Sequence, residues 1–148
     1  MEKLNESKFD LIVDPILKPL KNRLEKIGYI FAKREYKIEK YGTHKIRDQY
    51  LLGSERLFEI WVSSEYSVNA SITNLSIDDY FFFTDFLKKK TKETHLDLIE
   101  QLPNESWAAY ASRCVQIIID LIEHDLNDVM LGKTWIKDPI GWSIMGRD

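Results

Sequence analysis

At 148 residues, 44% of them hydrophobic and 30% charged, the chain has the length and composition of one globular domain able to bury a sizeable core. The formal net charge of −3 argues against a general nucleic-acid binder, and no apolar run approaches the ~20 residues of a membrane span. A single cysteine, Cys114, leaves no internal disulfide, and the charged opening residues lack the apolar stretch of a secretory signal, so the expected location is cytoplasmic.

The first predicted helix covers about residues 7–27. Phe9, Ile12, Val13, Ile16, Leu17, Leu20, Leu24 and Ile27 recur at helical spacing, and Gly28 can take the left-handed conformation that ends it. Pro15 and Pro19 each remove a backbone donor, so the helix is expected either to start near Pro15 or to kink there. Four strands follow. Lys33, Glu35, Lys37 and Glu39 alternate with Ile30, Ala32, Arg34, Tyr36 and Ile38, which predicts a strand with one wet face. Residues 46–52, 57–62 and 68–72 read as three more strands, and their short links favour an antiparallel meander.

The remainder reads as helical. A helix capped by Asp78 or Asp79 is expected through the Tyr80-Phe-Phe-Phe83 run to Leu87, and a short one from Thr94 to before Pro103. A long helix should begin near Asn104 or Ser106 and stop at Gly132. The whole is expected to be a single α+β domain: a four-stranded antiparallel meander sheet with an N-terminal helix and C-terminal helices packed mainly on one face. Residues 133–148 form an irregular tail whose Trp135 and Trp142 would pack on the domain or at an interface.

The motifs that could carry chemistry mostly reduce to structure. Asp120, His124 and Asp128 stand at i, i+4 and i+8, but three ligands spread over about 12 Å of helical rise cannot meet one ion, so no metal site is expected. Gly132-Lys-Thr134 follows a helix and has Asn127 where a phosphate loop needs glycine. Cys114 lies on the apolar face of the long helix and reads as a buried thiol, while His44 and His95 read as surface residues. No catalytic residue and no cofactor is indicated by any familiar motif.

Two groups of residues stand out. Arg34 and Asp48 fall in phase with apolar neighbours, so each points toward the core and must pair or reach a cleft. With Tyr36 and Tyr50 they form a candidate ligand site, in which Arg34 could hold a carboxylate or phosphate. A one-residue slip of the second strand would turn Asp48 outward. Trp61 is out of phase with Phe58, Ile60 and Val62 and should sit on the opposite sheet face, either covered or free as a binding anchor. The first 74 residues carry 13 Lys+Arg against 11 Asp+Glu, and the rest 8 against 13. Asp120, Glu123, Asp125 and Asp128 on that acidic half are candidates for steering a basic partner, with Trp61 as the anchor.

The helix–Gly–aromatic step in Ile16-Leu-Lys-Pro-Leu20 and Leu24-Glu-Lys-Ile-Gly-Tyr29, leading into strands that reach about Ile72, resembles a group of small bacterial α+β domains, some of immunity-protein type. The resemblance covers about half the chain and supplies no catalytic residues. It implies a non-enzymatic protein that binds a protein partner, or itself, by occlusion. The alternative is a small-ligand binder or enzyme with a cleft around Arg34 and Asp48.

Overall fold

The computed structural model describes residues 6–39, 42–64, 68–91 and 99–136. α1 runs unbroken over Glu6–Lys26 with both prolines inside it. Phe9, Val13, Leu17, Leu20 and Leu24 are buried along one face, while Leu11, Pro15 and Pro19 are exposed. The bonds lost to the prolines therefore fall on the side open to solvent, where water can satisfy the freed carbonyls. Gly28 has φ +102° and turns the chain into the sheet.

The sheet is antiparallel in the order β1-β2-β3-β4-β5, with strands Ile30–Ile38, His44–Leu52, Arg56–Ser63, Val68–Asn74 and Asp79–Phe82. It has five strands where four were expected. The fifth comes from the aromatic run predicted to be helical. Asp78 takes φ +52° in the turn after β4, and Asp79–Phe82 then pairs with Ser71–Asn74. Alternation places Phe81 in the core and half-exposes Tyr80 and Phe82, as suits aromatic residues on a pleated surface. α2, Phe83–Thr91, starts only after this strand. The helix expected from Thr94 begins outside the described residues.

Ile46, Tyr50, Phe58, Ile60, Val62, Val68, Ala70, Ile72 and Phe81 face one way and share a single core with α1 and α3, Trp107–Glu123. Ser106 caps α3, its Oγ accepting from the N–H of Ala109 at 3.1 Å. The long helix predicted to reach Gly132 instead breaks at His124 and resumes as α4, Asn127–Met130. The break turns Leu126, Val129 and Met130 inward, all three fully buried or nearly so. Tyr29 ties this segment to the sheet by donating its hydroxyl to the Met130 carbonyl at 2.7 Å. Among the described residues, no helix is long and apolar enough to cross a membrane.

Candidate functional site

The site is built where α1 crosses the β1–β2 edge of the sheet. Arg34 on β1 stands directly across from Asp48 on β2. The second strand keeps Ile46, Asp48 and Tyr50 inward, and Leu51 turns out. Asp48 is only 2% exposed. Arg34 grips it with both arms of the guanidinium, Nε to Oδ1 at 2.6 Å and Nη2 to Oδ2 at 2.8 Å. Its Nη1 reaches α1, contacting Asp10 Oδ1 at 2.9 Å and Asp14 Oδ1 at 2.8 Å. Asp10 and Asp14 are one helical turn apart, so they present their carboxylates side by side. Arg34 thus joins the helix to the sheet, and the Asp48 carboxylate bonded to it raises its pKa above even the ordinary arginine value. Three carboxylates surround this one cation, an excess of two formal negative charges.

A cleft of about 940 Å³ opens beside this cluster. Its helical wall is Leu11, Asp14, Pro15, Lys18, Asn22 and Glu25, one face at steps of three and four. Its sheet wall is Phe31, Arg34, Asp48 and Tyr50. Phe31 reaches the cleft through an irregularity. The β1–β2 register shifts between Phe31 and Lys33, so strict alternation fails and Phe31, rather than Ile30, comes to the inner side opposite Tyr50. The two rings meet edge to face with centroids 5.4 Å apart, and Lys21 Nζ lies 5.9 Å from the Phe31 centroid.

Tyr50 is 3% exposed and lines the cleft, yet its hydroxyl has no hydrogen-bond partner among the described residues. Burial, reinforced by the charge of Asp48, pushes its phenol well above the usual tyrosine pKa of 10.0. Burial does the same to Tyr29, against a smaller opposing effect of Arg56. A phenol whose folded pKa is raised stabilises the fold fully below pH 10 and loses that contribution as pH climbs above it. A tyrosinate absorbance titration should therefore show two phenols that ionise late, together with a loss of stability above pH 10. Tyr50→Phe and Tyr29→Phe should each remove one of the late-titrating groups, and an unchanged count would contradict the burial argument.

The structure brings Arg34, Asp48 and Tyr50 together and sends Tyr36 elsewhere. The Tyr36 hydroxyl is hydrogen-bonded to Nδ1 of His44, beside Phe9. His44 is therefore a buried residue at the start of β2 and not the surface histidine expected; its ring packs 5.8 Å from Phe9. His95 lies outside the described residues.

Trp61 does face away from the core, half-buried, 5.5 Å from the Phe82 ring. Arg47, across from it on β2, is engaged by Glu35 and also lies 3.4 Å from Glu59. Trp135 does not cover this face. It packs at 5.3 Å on Phe81, on the core side, and its Nε1 donates to Asp79 at 3.0 Å. Trp142 lies outside the described residues.

Asp120, Glu123, Asp125 and Asp128 lie at and beyond the end of α3, turned away from the core. They stand on the helical side of the domain and Trp61 on the sheet side, so the two sets do not share one surface. Asp120 accepts from Gln116 at 2.9 Å and Glu123 pairs with Arg23 at 2.6 Å. The break at His124 also ends the helical line that joined Asp120, His124 and Asp128. Among the described residues, no group of three His, Cys, Asp or Glu is placed to hold a metal ion.

The helical half of the site, above all Asp10, Asp14 and Pro15, was missed by pattern reading. A signal was present in two acids at i, i+4 beside the off-stripe Leu11 and two prolines. Compared with known proteins, the chain matches no family model, no curated sequence and no solved structure.

Proposed function

We propose that this chain is a binding protein whose working surface is the cleft between α1 and the β1–β2 edge. The observation that carries the reading is the Tyr50 hydroxyl, which has no partner among the described residues and opens from a buried ring into a cleft of ligand size lined by Phe31, Leu17 and Pro15. A hydroxyl that opens into a cleft and meets no group of the protein is available to donate to or accept from a ligand there. Arg34 then acts as the strut that fixes the two walls, not as the group that meets an incoming anion.

Ligand-observed NMR with a fragment set tests this directly. Asn22→Trp, at an exposed helical position, places an indole in the cleft. Fragments that bind the wild type should lose their signal with this variant. Equal binding to both proteins would overturn the reading.

A second reading, occlusion of a protein partner as in immunity-type domains, is favoured by the apolar rim of the same cleft. Leu11 is 76% exposed there and Phe31 41%. A side chain from a partner would then fill the cleft, and Asn22→Trp would block that association too.

A further inference from the structure

The residues of the cleft also indicate the charge of what it holds. Arg34 is already committed. Of its five N–H groups, Nε and Nη2 serve Asp48 while Nη1 meets both Asp10 and Asp14. These contacts leave Arg34 one N–H, on Nη2, and an anionic ligand would meet it with three carboxylates around the same guanidinium. The charged groups of the lining balance, Asp14, Glu25 and Asp48 against Lys18, Lys21 and Arg34, but acceptor positions are left over. Asp14 is 60% exposed at its side chain, and a carboxylate offers about four lone-pair positions, more than its contact with Arg34 consumes.

The prolines add to this surplus. Pro15 has no N–H, so the Leu11 carbonyl lacks its helical donor, and Leu11 and Pro15 both line the cleft. The hydroxyl of Tyr50 lines the same cleft, and the ring of Phe31, 41% exposed, meets the Tyr50 ring edge to face. Lys18 and Lys21 also line the cleft from exposed positions on α1.

We infer that the occupant is an organic cation: a primary or secondary ammonium on an apolar or aromatic body, its nitrogen among Asp14, the Tyr50 hydroxyl and the Leu11 carbonyl, its body against Phe31. This rests on the cleft being the binding site, as proposed above. The Tyr50 oxygen accepts one ammonium hydrogen, Asp14 takes another, and the ring of Phe31 supplies a face for the body.

Three probes of nearly one shape separate the cases: 2-phenylethylamine, 2-phenylethanol and 3-phenylpropionate, each titrated to millimolar concentration into ¹⁵N-labelled full-length protein. The amine should move the amide signals of Phe31, Arg34 and Tyr50 and bind about tenfold more tightly than the alcohol or the acid, as one charge-assisted hydrogen bond allows. Asp14→Asn, at an exposed position where Asp10 and Asp48 still hold Arg34, should abolish the advantage of the amine and leave the alcohol unchanged. Tyr50→Phe, which keeps the ring, should weaken the amine by about threefold to tenfold. If the alcohol or the acid binds at those residues as well as the amine does, the cation inference fails and the cleft remains the site. If none of the three perturbs those residues, both fail together.

Discussion

Replacing Arg34 with alanine should destabilise the fold by about 3–5 kcal/mol, the range for removing one partner of a buried ion pair. The cause is less the lost attraction than what stays behind. Asp48 is 2% exposed and would be left buried with no cation against it. Asp10 and Asp14 would at the same time lose their shared anchor, so α1 would loosen from the β1–β2 edge. The double variant Arg34→Met with Asp48→Leu should recover most of the loss, because two apolar side chains leave no charge buried. Urea unfolding of wild type, single and double variants measures this. A single variant within about 1 kcal/mol of wild type would mean that the pair is solvated like a surface bridge.

Arg56→Leu should cost about 3 kcal/mol or more, since several hydrogen bonds from a charged donor are lost together. Arg56 is 4% exposed, and among the described residues its hydrogen bonds all end on backbone carbonyls. Nε donates to Val129 and Nη2 to Thr134, both at 2.9 Å, and Nη1 donates to Glu55 at 3.2 Å. The guanidinium also lies 5.1 Å from the Trp135 ring. One β3 side chain thereby gathers α4 and the segment after it onto the sheet. Leucine would fill the volume and leave the carbonyls of Val129 and Thr134 without a donor. Hydrogen exchange should show residues 127–134 losing protection before the sheet does. Uniform loss across the chain would place Arg56 in the global core and not at this junction.

Much of this architecture was legible in the sequence because its signals are local. Period two in β2–β4 and the helical stripe of Phe9, Val13, Leu17, Leu20 and Leu24 follow from which side chains must leave water, whereas on β1 only Arg34 and Tyr36 are half-buried and Ile30, Ala32 and Ile38 stay exposed. The facing of Arg34 and Asp48 follows from the same alternation. Pattern reading failed where a second effect overrode the period. The bulge after Phe31 shifted the phase and carried that ring into the cleft. The aromatic run at Tyr80–Phe83 is apolar on every side, so periodicity could not distinguish a buried helix from the strand that Asp78 initiates. The prolines of α1 suggested a kink, whereas their exposed position allows the helix to continue. The helical wall of the cleft was hidden for another reason. Asp10 and Asp14 acquire meaning only when Arg34, 20 or more residues later, folds back between them.

The cleft is the central claim, and a backbone amide shift map tests it most directly. The tightest-binding fragment would be titrated into ¹⁵N-labelled wild type and Asn22→Trp. The expected result is a cluster of shifts along residues 14–25 of α1 and at Phe31, Arg34 and Tyr50, absent from the variant. Shifts centred on Trp61, Asn69 and Phe82, on the opposite face of the sheet and unchanged by Asn22→Trp, would contradict it.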